Sequence, residues 1–372
     1  MKNGVKLLFA VIVLSVLIAC GGGGGGSSSG AAQDAPKMAV VIAVNGAVDD
    51  RSFVQGAWEG MKKFGADNNL SYIYFTAAAD SVSSMIDTIE LAVNNGIEII
   101  VAPGFGWGAA IFEAQDRFPN LKMVVLDDEP RSHDFSEFRA APNALGIYFA
   151  EQEAGFFAGY GIVKEGYTNL GFMGGMAVPA VVRFGYGFVY GADLAAQEMG
   201  LPRGSITIRY YYTGNFDPTP ANQTFAASWF ASGTEVIFAC AGQVGNVVMA
   251  AAEQAGPEKI VIGVDVDQAG ESPIVITSAM KNLQVATYQA LSDWKNGTFK
   301  GGVITLSAKE DGTGLPLGTS FRFKKFTEAE YLEIFQKVKN NTDGLASSIP
   351  IDTAAETASG LPTKVVRVET LN

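Results

Sequence analysis

Cysteine is almost absent from this chain: Cys20 and Cys240 are the two in 372 residues. They lie far apart in unlike surroundings, so neither a disulfide framework nor a thiolate metal site is expected. Histidine is scarcer still. His133 stands alone, which leaves no material for a histidine-rich zinc centre or a Ser–His–Asp triad. Positive charge is short as well: 26 Lys and Arg against 38 Asp and Glu give a formal charge of −12. A protein that wraps nucleic acid needs clustered cations, so no nucleic-acid partner is expected. The N-terminal apolar run, residues 7–19, is too short for an ordinary membrane span and carries Ser15. Charged residues make up only 17% of the chain and hydrophobic ones 48%, enough to fill one large core or two moderate ones.

The sharpest local signal is at the start. Lys2 and Lys6 precede the apolar run, which ends Leu17-Ile18-Ala19-Cys20. That is the layout of an export signal, and its end resembles a bacterial lipobox, in which small residues precede a cysteine that is lipidated before cleavage. Residues 1–19 are therefore expected to be removed and Cys20 to carry the lipid. Loss of Lys2 and Lys6 takes the charge from −12 to −14. Residues 21–30 are glycine and serine throughout. Such a run is a flexible coil, and residues 20–37 read as a tether with a reach of roughly 20–25 Å. The expected location is the membrane surface, lipid-anchored and facing the periplasm or the exterior. Cys240 ends the apolar run 235–240 and reads as a buried strand residue.

From residue 38 onward the pattern alternates. A short unbroken apolar run (38–44) marks a strand buried on both faces, 97–101 reads as another buried strand, and 122–126 follows as the next strand. Between them, Phe53, Ala57, Met61 and Phe64 recur at helical spacing, and a helix over 83–94 stops at Asn95-Gly96. A second such cycle begins near Leu145 and runs to about residue 264, and a charged helix over 327–340 closes the fold. Successive βα units predict α/β architecture: two doubly wound lobes with parallel sheets. Open sheets of this kind take ligands at the carboxyl ends of their strands. Those ends are 45–52, 103–108, 127–128, 174–175, 213–217, 241–245 and 265–268, and they are rich in Gly, Asp, Asn and aromatics. Any one of them is explained by turn and capping chemistry; seven together favour a polar cleft with a flat stacking element.

Three enzyme or cofactor readings do not survive the spacing. Gly104-Phe-Gly-Trp-Gly108 lacks the third glycine of a dinucleotide fingerprint and is not in the first βα unit. Asp265-Val-Asp-Gln268 with Asp49 and Asp50 lacks the EF-hand pattern, so no metal is expected. No base–nucleophile pair stands out, so no catalytic residue, no cofactor and no enzymatic activity are predicted.

Several motifs occur in the order found in one family. They are Asp49-Asp-Arg-Ser-Phe-Val-Gln-Gly-Ala-Trp-Glu-Gly60, Gly174-Gly-Met-Ala-Val-Pro179 with 184–191, and Tyr212-Thr-Gly-Asn-Phe-Asp-Pro218. Ala241-Gly-Gln-Val-Gly-Asn246, Gly263-Val-Asp-Val-Asp-Gln268 and Thr277-Ser-Ala-Met-Lys281 continue the series. Over residues 38–340 the chain resembles the basic membrane protein (BMP) family of substrate-binding lipoproteins, similar to purine nucleoside receptors of ABC transporters. The resemblance implies a type I periplasmic-binding-protein fold with the ligand between two lobes joined by three crossovers. Lobe 1 would comprise 38–145 plus 267–302, lobe 2 146–266 plus 303–345, and 346–372 would be a loosely packed tail. It also implies stacking of a base on Trp58 and Phe216, and contacts to the base from Asp49, Asp50 and Asp127. Contacts to a ribose would come from Asp265 and Lys281, and close backbone approach at Gly242. Val54 stands where the family usually has Asn. The partners so implied are a nucleoside and an ABC permease, with the protein itself a monomer. Two other readings stay open at this point: a surface lipoprotein contacting host macromolecules, and a receptor for another small ligand such as a sugar.

Overall fold

A computed structural model of the chain describes residues 35–44, 46–351, 353–355 and 357–371. The leader, Cys20 and nearly all of the tether lie outside the described residues.

The first lobe starts with β1 (Met38–Ile42), α1 (Phe53–Asn68), β2 (Tyr72–Thr76), α2 (Val82–Asn94) and β3 (Ile99–Pro103). It continues with α3 (Trp107–Arg117), β4 (Lys122–Leu126) and β5 (Ala144–Phe149). The second lobe follows with α4 (Glu151–Glu165), β6 (Asn169–Gly174), α5 (Pro179–Glu198) and β7 (Ile206–Tyr212). Next come α6 (Pro220–Ala231), β8 (Val236–Cys240), α7 (Val244–Ala255), β9 (Ile260–Asp265) and β10 (Val275–Lys281). The chain then returns with α8 (Leu283–Lys295) and β11 (Gly302–Leu306), and ends with β12 (Thr313–Gly314), α9 (Glu328–Lys339), α10 (Leu345–Ser348) and β13 (Val366–Thr370).

Two sheets result. The first has the order β11-β5-β4-β3-β1-β2, parallel throughout. The second has the order β12-β10-β9-β8-β6-β7-β13, parallel except for the β10–β12 pair. Strand alternation explains why the apolar runs are unbroken. Ala39 and Val41 point into the core under α2 and α3, while Met38, Val40 and Ile42 join the core under α1 and α8. The second sheet is covered the same way, by α4, α5 and α9 on one face and by α6 and α7 on the other.

The lobe boundaries differ from those expected. Residues 275–281 pair with β9 and so belong to the second lobe, not the first. Residues 302–306 pair with β5 and so complete the first sheet, not the second. A buried parallel strand looks alike in either sheet, and its sequence does not name its partner. The loosely packed tail is also corrected: β13 pairs in register with β7, from Val366↔Ile206 to Thr370↔Tyr210. The crossings follow β5, β10 and β11, and they are tied together. Ala150 N donates to Leu306 O, and Asn282 N donates to Gly312 O. Glu153 Oε2 accepts from Ala308 N and Thr313 Oγ1.

Candidate ligand site

The carboxyl ends of both sheets converge on one ammonium group. Lys281 is the last residue of β10. Its Nζ lies 2.5 Å from Asp127 Oδ2, 3.3 Å from Asp265 Oδ1 and 4.0 Å from Glu151 Oε1. These side chains are 3%, 10%, 9% and 0% exposed in that order, so the interactions act away from bulk water. Asp127 follows β4 in the first lobe, Asp265 ends β9 in the second, and Glu151 opens α4 at the first crossing. Both aspartates have left-handed backbone, φ 62° and 67°, a conformation that Asp tolerates better than most residues. Three aromatic rings wall the ammonium: Phe53, Phe184 and Phe149, with centroids at 4.4, 5.5 and 5.9 Å.

The amino end of α1 is built to serve this cluster. Ser52 is the residue before the helix, yet its hydroxyl does not cap it. Asp50 does so instead, accepting from the backbone N–H of Ser52, Val54 and Gln55 at 2.9–3.0 Å. That frees Ser52 Oγ to donate to Asp265 Oδ2 at 2.7 Å, across the two lobes. Gln268 Nε2 donates to Arg51 O at 2.7 Å, and Arg51 pairs with Glu271 at 3.0 Å, so the lobes are latched along this side.

Electrostatics in the cluster are unbalanced. Burial pushes the Asp127 carboxyl up to about 7; Lys281 pulls it down, while Glu151 and Asp265 push it up. Burial works against the Lys281 ammonium, but Asp127, Asp265 and Glu151 together hold its pKa above the ordinary lysine value. Glu151 Oε2 accepts from Arg183 Nε at 2.7 Å. Asp127 Oδ1 and Glu151 Oε1 are buried with no hydrogen-bond partner.

The other expected residues are placed as follows. Phe216 is half-buried beyond the carboxyl ends of β6 and β8, its ring over Gly175 and Gly242. A Cβ at Gly175 would collide with that ring, and Gly242 has φ 54°, so both positions favour glycine. Asp49 is exposed beside the amino end of α1. Trp58 is not brought to the ammonium. Its ring meets Tyr72 and Tyr74 edge-on at 5.2 and 5.6 Å, and Tyr72 opens β2 at the end away from the cluster. Cys240 is buried at the end of β8. In the glycine-rich 104–108 turn, Gly108 N donates to Asp128 Oδ2 at 3.1 Å, so this carboxylate already occupies the amino end of α3.

Residues 37–343 match the family model described as ABC transporter substrate-binding protein PnrA-like. The chain belongs to this family. Among curated relatives, the ABC transporter nucleoside-binding protein BmpA of Lactococcus lactis is 31% identical over 303 residues, covering 76% of this chain and 81% of that one. Basic membrane protein D of Borreliella burgdorferi is 29% identical over 302 residues, covering 80% and 82%. An uncharacterised lipoprotein of Pyrococcus abyssi is 28% identical, covering 75% and 68%. Among solved structures, a solute-binding protein of an ABC transporter system from Aeropyrum pernix superposes with a TM-score of 0.65 at 25% identity, covering 84% of this chain and 89% of that one. One from Conexibacter woesei gives 0.63 at 18%, a likeness of fold alone.

This member of the family is thus a substrate-binding protein of an ABC transporter with the periplasmic-binding-protein fold, and not an enzyme. Its partners are a small ligand and the transporter. Among the described residues no helix is long and apolar enough to cross a membrane. Sequence reasoning missed four residues that the fold brings to the cluster: Ser52, Phe53, Glu151 and Arg183. Ser52 and Phe53 stand inside the first quoted motif, where Trp58 drew attention as the larger ring. Glu151 was hidden because it opens a helix directly after β5, with no loop to mark a strand end.

Proposed function

We propose that this protein binds an uncharged nucleoside between its lobes and presents it to an ABC permease. The observation that carries the reading is the Lys281 cluster: one buried ammonium holds carboxylates from both lobes at their crossing, beside aromatic faces. Ribose hydroxyls are donors and acceptors together. Asp265 would accept from them and Lys281 would donate, each keeping the other from being a lone buried charge. Asp127 Oδ1, with no partner of its own, would accept from an N–H of the base. A flat heterocycle suits the apolar ring of Phe216, with backbone approach at Gly242. The resemblance assigned the opposing face to Trp58. Phe53 is the better placed ring, because it already lies against Lys281 while Trp58 packs on β2. Asp50 serves by fixing the amino end of α1, and Asp49 by lining the rim. The name of the Lactococcus lactis relative supports the ligand class, and the names of the Pyrococcus relatives support a lipid anchor at Cys20.

The test separates sugar from base. Asp265→Ala removes the acceptor and leaves Lys281 and Ser52 without it, so nucleoside affinity should fall by roughly 2–5 kcal/mol, as for a truncated partner of a buried charge. The matching free base never uses that contact, and its weaker binding should change far less. Calorimetric titration of both ligands into both proteins gives the answer. Equal losses would remove Asp265 from ribose recognition and return the protein to a receptor of undefined small-molecule class.

A further inference from the structure

The cluster has more negative charge than the fold itself can satisfy. Three carboxylates, Asp127, Glu151 and Asp265, face two cations, Lys281 and Arg183. Asp265 is fully engaged, by Ser52 on one oxygen and Lys281 on the other. Asp127 and Glu151 each have one oxygen hydrogen-bonded, by Lys281 and Arg183, and one buried oxygen without a hydrogen bond, that of Glu151 lying 4.0 Å from the Lys281 ammonium. A bare buried carboxylate oxygen is costly, and it is relieved by a proton or by a donor from a ligand or a water molecule. The remaining groups around the cluster do not supply that donor. Cys240 on β8 is driven by burial to stay a neutral thiol, and Asp50, on the approach to α1, is a further carboxyl near Asp265. Tyr148 on β5 faces Arg183, and its hydroxyl is 3.4 Å from Glu129.

We propose that Glu151, which is not among the residues implied by the resemblance, makes occupancy of this site a competition between ligand and proton. A ligand bearing hydroxyl or N–H donors displaces the proton held on Asp127 in the unliganded pocket, and the proton leaves to bulk water. Glu151 is a positioning residue in this scheme. It acts through Asp127, its charge making the nearby carboxyl harder to ionise. Ligands that bring only acceptors, such as phosphates or carboxylates, are refused because they meet bare oxygens. The inference rests on the proposed reading of the site as the place where a nucleoside binds.

Asp127 lies near 7 without ligand, because burial and the neighbouring carboxylates outweigh Lys281. Proton and ligand therefore exchange in the neutral range, and acid favours release. With adenosine as the probe, affinity should weaken about tenfold from pH 8 to pH 6, with release of about half a proton per adenosine at pH 7. Calorimetry in buffers of differing ionisation enthalpy counts that proton. Two variants should act in opposite directions. Glu151→Gln removes the neighbouring negative charge and moves the midpoint to lower pH. Arg183→Gln uncovers Glu151 and moves it higher. A merely structural role would move both the same way. The same midpoints are read without any ligand, from the infrared band of a protonated carboxylic acid in the full body. Opposite shifts of that band carry the proposal even if adenosine fails to bind, which would sink only the nucleoside reading. Absence of an acid band near neutral pH, or shifts of the same sign in the two variants, overturns it.

Discussion

Asp128 and Arg131 make a second buried ion pair, in the loop that follows β4. Arg131 donates to both Asp128 oxygens, from Nε at 3.1 Å and Nη2 at 3.0 Å, and its Nη2 also donates to Phe105 O. Its guanidinium stacks on Phe135 at 3.8 Å. Breaking such a pair from one side costs roughly 3–5 kcal/mol, because a buried charge is left behind, so Arg131→Met should unfold at much lower denaturant. Burial pushes the Asp128 carboxyl up to about 6 even with Arg131 beside it. The folded form thus holds this proton more tightly than the unfolded form, and stability is lost as pH rises from the ordinary Asp value through about 6. The defect of Arg131→Met should be smaller at pH 5 than at pH 8, measured by urea titration at both. A defect independent of pH would mean that the lost guanidinium mattered by packing alone. The aromatic assignments separate in a similar way. Phe53→Ala should lose about 1–3 kcal/mol of nucleoside affinity. Trp58→Ala should instead lose about 2 kcal/mol of stability, from two edge-to-face contacts and the cavity left behind. If Trp58→Ala weakens binding and Phe53→Ala does not, the two roles are reversed.

Helices α4 and α5 touch backbone to backbone, which sets where Arg183 and Phe184 meet the cluster. Gly155 and Gly159 of α4 lie against the carbonyls of Phe184 and Phe188, and Gly187 and Gly191 of α5 lie against those of Gln152 and Phe156. A Cβ at any of the four would fall well inside contact distance of a helical carbonyl, which has no room to retreat. Gly187→Ala should therefore cost about 1–3 kcal/mol of stability by overpacking, and also weaken ligand binding by moving Arg183 relative to Glu151. Unchanged affinity in a destabilised Gly187→Ala protein would separate the helix contact from the site. The last strand is held at its start by one carboxylate, in addition to its ladder with β7. Asp193 of α5 is buried and accepts from the backbone N–H of Lys364, Val365 and Val366. That anchor explains why the tail looked structureless from sequence. Residues 366–370 carry no helical period and no turn signal, and their partner lies some 160 residues away on β7. The central βα units were legible because each has a local signature: an unbroken apolar run, a helical stripe, a Gly or Asn stop. What was not legible is which sheet a strand joins, as with β10 and β11, and which side chain turns inward at a helix start, as with Ser52, Phe53 and Glu151. Both are decided by contacts between residues distant in sequence.

On the scale of the whole molecule, two sheets present their carboxyl ends to one another across three crossings, and the Lys281 cluster sits where those crossings meet. A receptor of this plan works by closing, and the Arg51, Ser52, Asp265, Gln268 and Glu271 contacts are what closure would make and opening would break. Its proposed attachment to a membrane is a separate matter, assigned to Cys20. Cys20→Ala should leave the folded body intact and release it from the membrane fraction, or block its maturation; an acylated, membrane-bound variant would contradict the anchor. The central claim, that the site takes a nucleoside, is tested most directly by calorimetric titration of the body, residues 35–372. The panel would be adenosine, guanosine, inosine and uridine, with the free bases, ribose, adenosine monophosphate and amino acids beside them. The account predicts saturable binding of at least one nucleoside at one site, clearly weaker binding of its base, and none of the monophosphate. Binding of a sugar or an amino acid with no response to any nucleoside would contradict it.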